Sequence, residues 1–129
     1  MLRLTAIAIS LCLILGCENR DQPTTPPDQT YTLRAIVTAL PTQKQALRLH
    51  HEPIPTFVDK TGKTIGMEEM EMEFPFLAPA AKLDGIAVND PIEATMEMRW
   101  NAKQAYLLTK IHKLPTDTKL KIHPLEPDK

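Results

Sequence analysis

Met67, Met70 and Met72 fall within six positions, in the stretch Met67 to Phe76 that reads MEEMEMEFPF. Glu68, Glu69, Glu71 and Glu73 are interleaved with them, and His50-His51-Glu52-Pro53-Ile54 lies upstream. Thioether sulfur is a soft, neutral ligand that prefers Cu(I) to hard cations, and imidazole is its usual companion. A Met-x-Met spacing on a strand puts both sulfurs on one face. Met67, just ahead of that strand, is placed to reach the same point from a loop. These residue types point to one soft-metal site drawn from His51, Met67, Met70 and Met72. Glu52, Glu68, Glu69, Glu71 and Glu73 are hard ligands and poor partners for Cu(I). They read instead as an acidic rim that would attract cations or a basic docking face.

Each of these residues also has a plainer role. Methionine in a strand is most often core filler. Met96 and Met98 share the same spacing and sit in a segment that alternates throughout. On residue types alone the three methionines stay open between ligand and core, and His51 between ligand and buried imidazole. The glutamates are by default a solvated face. His112 and His123 have no clustered partner and read as solvated. A Cu(II) or Zn(II) site from His50, His51 and Glu52 is a poor chelate, because adjacent residues on a strand point to opposite faces.

The elements that must position these residues alternate with period two. Tyr31, Leu33, Ala35, Val37 and Ala39 share one parity, which predicts a strand from Tyr31 to Leu40. A second runs from about Ala46 to His51, with Leu47, Leu49 and His51 on one face; His50 then faces water. Pro53 and Pro55 end it, and residues 57–65 predict a small hairpin. Glu69 to Phe76 is the third strand, with Met70, Met72 and Phe74 on one face. Ala78 to Asn89 connects, with a single helical turn at Ala80 to Leu83. Ile92 to Trp100 alternates, and Ala105 to Leu114 closes with Leu107 and Ile111 inward. Lys119 to His123 is a weak edge-strand candidate. Twelve prolines argue against long helices. The fold expected is all-β: a small five-stranded barrel, since closure removes exposed edges.

Around residues 31–115 the chain divides into three further parts. Residues 1–16 read as a secretory leader: Arg3, then an apolar run too short to span a bilayer, which takes about 20 residues. Ile14-Leu15-Gly16-Cys17 resembles a bacterial lipobox. That implies acylation of Cys17 and anchoring on the periplasmic side of a bacterial membrane, and Glu18, not being aspartate, permits sorting to the outer membrane if the cell is Gram-negative. Residues 17–30 form a proline-rich tether. Residues 116–129 form a polar tail. Both cysteines, Cys12 and Cys17, precede the domain. The domain therefore has no disulfide framework, no cysteine zinc site and no blue-copper ligand. With 15 basic and 16 acidic residues there is no footprint for nucleic acid. No nucleophile–base pair or cleft carboxylate pair points to an enzyme.

Residues 31–115 resemble the CusF-like family of periplasmic copper- and silver-binding proteins. His50-His51-Glu52-Pro53-Ile54 and Met70-Glu71-Met72-Glu73-Phe74 carry the likeness. Val88-Asn89-Asp90-Pro91 and the segment Leu108 to Pro115 add weaker matches. The resemblance implies a five-stranded OB-like barrel that binds one Cu(I), or Ag(I), through His51, Met70 and Met72. Known members place a tryptophan three residues before the first methionine, capping the metal by a cation–π contact. Met67 stands there instead, which offers a third thioether, and Trp100 is remote in sequence. The loop between His51 and Met67 is longer than usual by about residues 57–65. The function expected is a monomeric, membrane-anchored metallochaperone or copper buffer. It would serve a copper efflux component or a cuproenzyme under assembly. The alternative is a docking lipoprotein that binds a protein partner through its acidic rim, with the methionines as core.

Overall fold

The computed structural model describes residues 25–125. The leader and Cys17 lie outside the described residues. Five strands form one antiparallel sheet: β1 Gln29–Ala39, β2 Leu47–His51, β3 Met70–Phe74, β4 Pro91–Met98 and β5 Tyr106–Lys113. Their order is β3-β2-β1-β4-β5. The inward positions of β1 and β4, and Leu47 and Leu49 of β2, follow strand alternation. Leu33, Ala35 and Val37 of β1, Leu47 and Leu49 of β2, and Ile92, Ala94 and Met96 of β4 are all nearly inaccessible. Met96 and Met98 are core residues.

The sheet curls without a closed ladder. Among the described residues its edges meet at one parallel bridge, between Leu77 and Leu108. The Tyr106 hydroxyl donates to the Glu73 carbonyl at 3.2 Å, and Tyr106 stands edge-on to Phe74 at 5.8 Å between ring centroids. Two backbone bonds join Ala78 and Phe76 to Leu108, at 2.8 and 3.4 Å; alongside β3 itself the seam is closed by these side chains.

Four local expectations need amendment. β1 begins at Gln29 rather than Tyr31. Residues just before it are tied down: the Asp28 N–H donates to the Met98 carbonyl, and the Thr25 carbonyl accepts from Arg99 Nε. Ala78 to Asn89 forms successive turns and no helix, with Asn89 at φ 74° ahead of Pro91. In β5, a register shift beside Thr95/Met96 sets Leu108 opposite Met96. A bulge of this kind breaks simple alternation. Leu107 and Leu108 are both buried, and Ile111 only partly. Finally, Lys119 to His123 joins no ladder and bends at Lys121; the Lys121 and His123 N–H groups go to the carboxylates of Glu52 and Glu69.

The hairpin at residues 57–65 is present, with a bridge between Val58 and Thr64. Asp59 Oδ1 accepts from the N–H groups of Thr61 (2.8 Å) and Lys63 (3.1 Å), and Gly62 takes the left-handed turn at φ 86°. Phe57 is buried against Tyr31 (5.3 Å) and meets Trp100 edge-on (6.1 Å). The extra loop therefore supplies core to the Tyr31–Trp100 end of the sheet.

Candidate metal centre

His51 and Met70 are direct partners across β2 and β3, and Leu49 pairs with Met72. Leu47, Leu49 and His51 share the inward face with Phe74, Met72 and Met70. Exposure rises along β3 from 1% at Phe74 through partly buried Met72 to 45% at Met70. The ladder thus runs from the core to the rim, and the His51–Met70 rung lies at the rim. His51 itself is fully buried.

The bonds to the His51 ring fix its tautomer. Nδ1 lies 2.7 Å from the Glu52 carbonyl oxygen. A carbonyl can only accept, so Nδ1 carries the proton and Nε2 keeps its lone pair. Nε2 lies 3.2 Å from Met72 Sδ. A thioether has no hydrogen, so two lone pairs face each other there. A soft ion that took both lone pairs would lie between these two atoms. The backbone carbonyl behind Nδ1 is the partner that orients a metal-binding histidine.

Burial lowers the pKa of His51, and neighbouring His50 lowers it further; the bond to the Glu52 carbonyl acts against both. The ring is neutral at pH 7, so no proton need leave Nε2 before a metal binds. For stability the sign is definite. Below the ordinary imidazole value of about 6.5 the unfolded chain gains a proton that the folded chain refuses. The metal-free domain is therefore expected to lose stability as pH falls from about 6.5 towards the lowered value, with no pH dependence from His51 above about 6.5. Denaturation midpoints at stepped pH, compared with those of His51→Phe, will show whether the slope belongs to this ring.

Met67 lies partly buried against the core, and its backbone exchanges two hydrogen bonds with Ile54 at 2.8 and 2.9 Å. Ile54 follows His51 by three positions, so Met67 is held next to the chain that leaves the site. Trp100 belongs to the other end. Ala35 pairs with His51, whereas Gln29 pairs with Met98. Six residues along β1 separate these rungs, about 20 Å at about 3.3 Å each. Trp100 does not replace the missing capping tryptophan.

His50 does not face water. It is 6% exposed, with Nε2 3.4 Å from Glu69 Oε2, because the C-terminal segment lies over it. Four of the five rim glutamates are also engaged, while Glu68 is exposed. Glu71 and Glu73 approach Arg48 at 2.9 and 3.7 Å, and Glu52 approaches Arg34 at 3.7 Å. His123, expected to be solvated, meets the Glu69 carboxylate through Nδ1 and through its N–H. Contact with Glu69 raises the His123 pKa and lowers that of Glu69. Nothing in strand periodicity marks the tail as the partner of these groups. Among the described residues no cluster of three or more His, Cys, Asp or Glu side chains is arranged to hold a metal. The donor set beside His51 is of the thioether kind.

The family model of the copper-binding periplasmic protein CusF matches residues 30–113. Two solved structures of CusF from Escherichia coli resemble the chain in fold. The apo form is 19% identical, covering 73% of this chain and 96% of that one, with a TM-score of 0.50. The Ag(I) form is 21% identical, covering 70% of this chain and 96% of that one, also at 0.50. No functionally curated protein matches the sequence.

Proposed function

Since the chain belongs to the family of the copper-binding periplasmic protein CusF, we propose that it binds one Cu(I), or Ag(I), outside the cytoplasm and carries or buffers it there. The observation that carries this reading is the pair of unprotonated donors, His51 Nε2 and Met72 Sδ, 3.2 Å apart. Met70 on the neighbouring rung and Met67 beside Ile54 are the further sulfurs. The donors suit the cargo: imidazole and thioether are usable where cysteine would be lost to disulfides. Buried His51 fixes one end of the set, and exposed Met70 opens the other to exchange. The chain acts as carrier or store, not as catalyst, and serves a copper efflux component or a cuproenzyme under assembly.

A lipid on Cys17 would hold the domain at the periplasmic face of a membrane. Recovery of the mature protein in the soluble fraction with a free thiol would end that part of the proposal. The binding itself is tested by anaerobic Cu(I) titration of the chain from Glu18 onward against a coloured chelator. One tightly held equivalent is expected. Met67→Leu should weaken retention if the third sulfur binds and leave it unchanged if Met67 only packs. No competition from the folded chain would leave the docking lipoprotein as the better account.

A further inference from the structure

Two glutamates of the acidic rim hold the chain's own C-terminal segment. The Lys121 N–H donates to Glu52 Oε1 at 2.8 Å, and the His123 N–H donates to Glu69 Oε2 at 2.7 Å. Leu120 and Ile122 are half-buried, while Lys119, Lys121 and His123 are exposed. This is the period of a strand laid on a surface, with two carboxylates in place of a neighbouring strand's carbonyls. Both of these bonds are donated by backbone N–H groups.

The segment fills its place incompletely. A cleft of about 340 Å³ beneath it is lined by Ile36, Thr38, His50 and Asn89 of the barrel and by Ile122 and Leu125 of the tail. Leu125 remains 53% exposed. Thr38 Oγ1 is buried and has no hydrogen-bond partner among the described residues. A buried hydroxyl normally finds a partner, and the present occupant supplies none to this one.

We infer that this face is a peptide-binding groove, that residues 119–125 are its resident occupant, and that an extended lysine-bearing segment of a partner protein binds there in the tail's place. Charge decides the chemistry of the incoming segment: the clamps are carboxylates, and the resident carries Lys119 and Lys121. Strand-like peptides bind in this way through main-chain bonds, with side-chain pockets adding selectivity. The groove is joined to the metal centre through the chain. Glu52 follows His51, Glu69 precedes Met70, and those two residues form one rung. An exchange of occupants acts on both neighbours of that rung. This last consequence rests on the copper reading, whereas the groove does not.

The test uses the full chain, metal-free and in detergent, with a fluorescent peptide of residues 116–129 as probe. In Lys121→Pro, His123→Pro the two donated N–H groups are gone, and the tail should leave the groove. The tethered tail of the unaltered chain competes at a high effective concentration. The peptide is therefore expected to bind the double variant at least about tenfold more tightly than the unaltered chain. A peptide with proline at the same two positions should bind neither. Equal affinity for the two proteins, or for the two peptides, overturns the inference. Amide exchange in the unaltered chain gives an independent check. Lys121 and His123 should exchange more slowly than Leu120 and Ile122, and equal rates overturn the inference as well. Because both readouts are metal-free, failure of copper binding would leave the groove standing, and the reverse.

Discussion

Replacing Met70 and Met72 together by leucine is expected to leave the fold intact and remove copper retention. Leucine conserves volume, and such swaps cost less than about 1.5 kcal/mol. Neither site is more demanding than that: Met72 is partly buried and Met70 is 45% exposed. The chemical change is much larger. Met72 supplies the sulfur that faces His51 Nε2 at 3.2 Å, and Met70 lies directly across from His51. Loss of a group that only orients a ligand weakens metal binding about 10- to 100-fold, so loss of two proposed ligands should exceed about a hundredfold. Met96→Leu is the matching control, since Met96 is 1% exposed in β4 and pairs with Tyr31, whereas the His51 rung lies at Ala35. Chelator competition reads the affinity, and thermal unfolding reads the fold. A double variant that still holds Cu(I) as the unaltered chain does would reduce both methionines to packing.

The contrast between Met96 and Met72 shows what strand periodicity conveys. Alternation placed Met96 inward, and it is inward, because β4 is covered by β1 and β5 on its sides and by core on its face. It also placed His51 on the buried face of β2, where the structure has it. The same rule set His50 outward, and outward is where it points, but the tail covers that face. Period two reports which side of a sheet a residue occupies, not what a distant segment later lays over it. The bulge beside Thr95 is another such limit: one extra residue shifts parity, and it brought Leu108 into the core unannounced. The 57–65 hairpin was legible from its turn residues, but its anchoring through Phe57 on Tyr31 and Trp100 was not. Contacts across the barrel leave no trace in local spacing. The Nδ1–carbonyl bond that sets the His51 tautomer is local, yet it needed the chain's direction after Glu52, which Pro53 constrains only in part.

Phe74→Ala should produce the largest loss of stability of any single change discussed here. Phe74 is 1% exposed, pairs with Leu47 across the β2–β3 ladder, and stands edge-on to Tyr106 at 5.8 Å. Truncating a buried phenylalanine costs about 3–5 kcal/mol. Small domains hold about 5–15 kcal/mol in all, so much of the stability is at stake. At about 4–8 °C per kcal/mol for a domain of this size, the melting temperature should fall by roughly 15 °C or more. Phe76, 38% exposed just beyond the strand, is the control, and Phe76→Ala should move it far less. The effect reaches function through the seam. β3 is an edge strand, its outer side is sealed to β5 mainly by this ring pair and the Tyr106 hydroxyl, and the same strand carries Met70 and Met72. Loosening the seam should therefore weaken Cu(I) retention below the melting point without touching a proposed ligand. If Phe74→Ala and Phe76→Ala melt alike, the seam is not where β3 is held, and the rigidity of the metal centre must come from the β2 side alone.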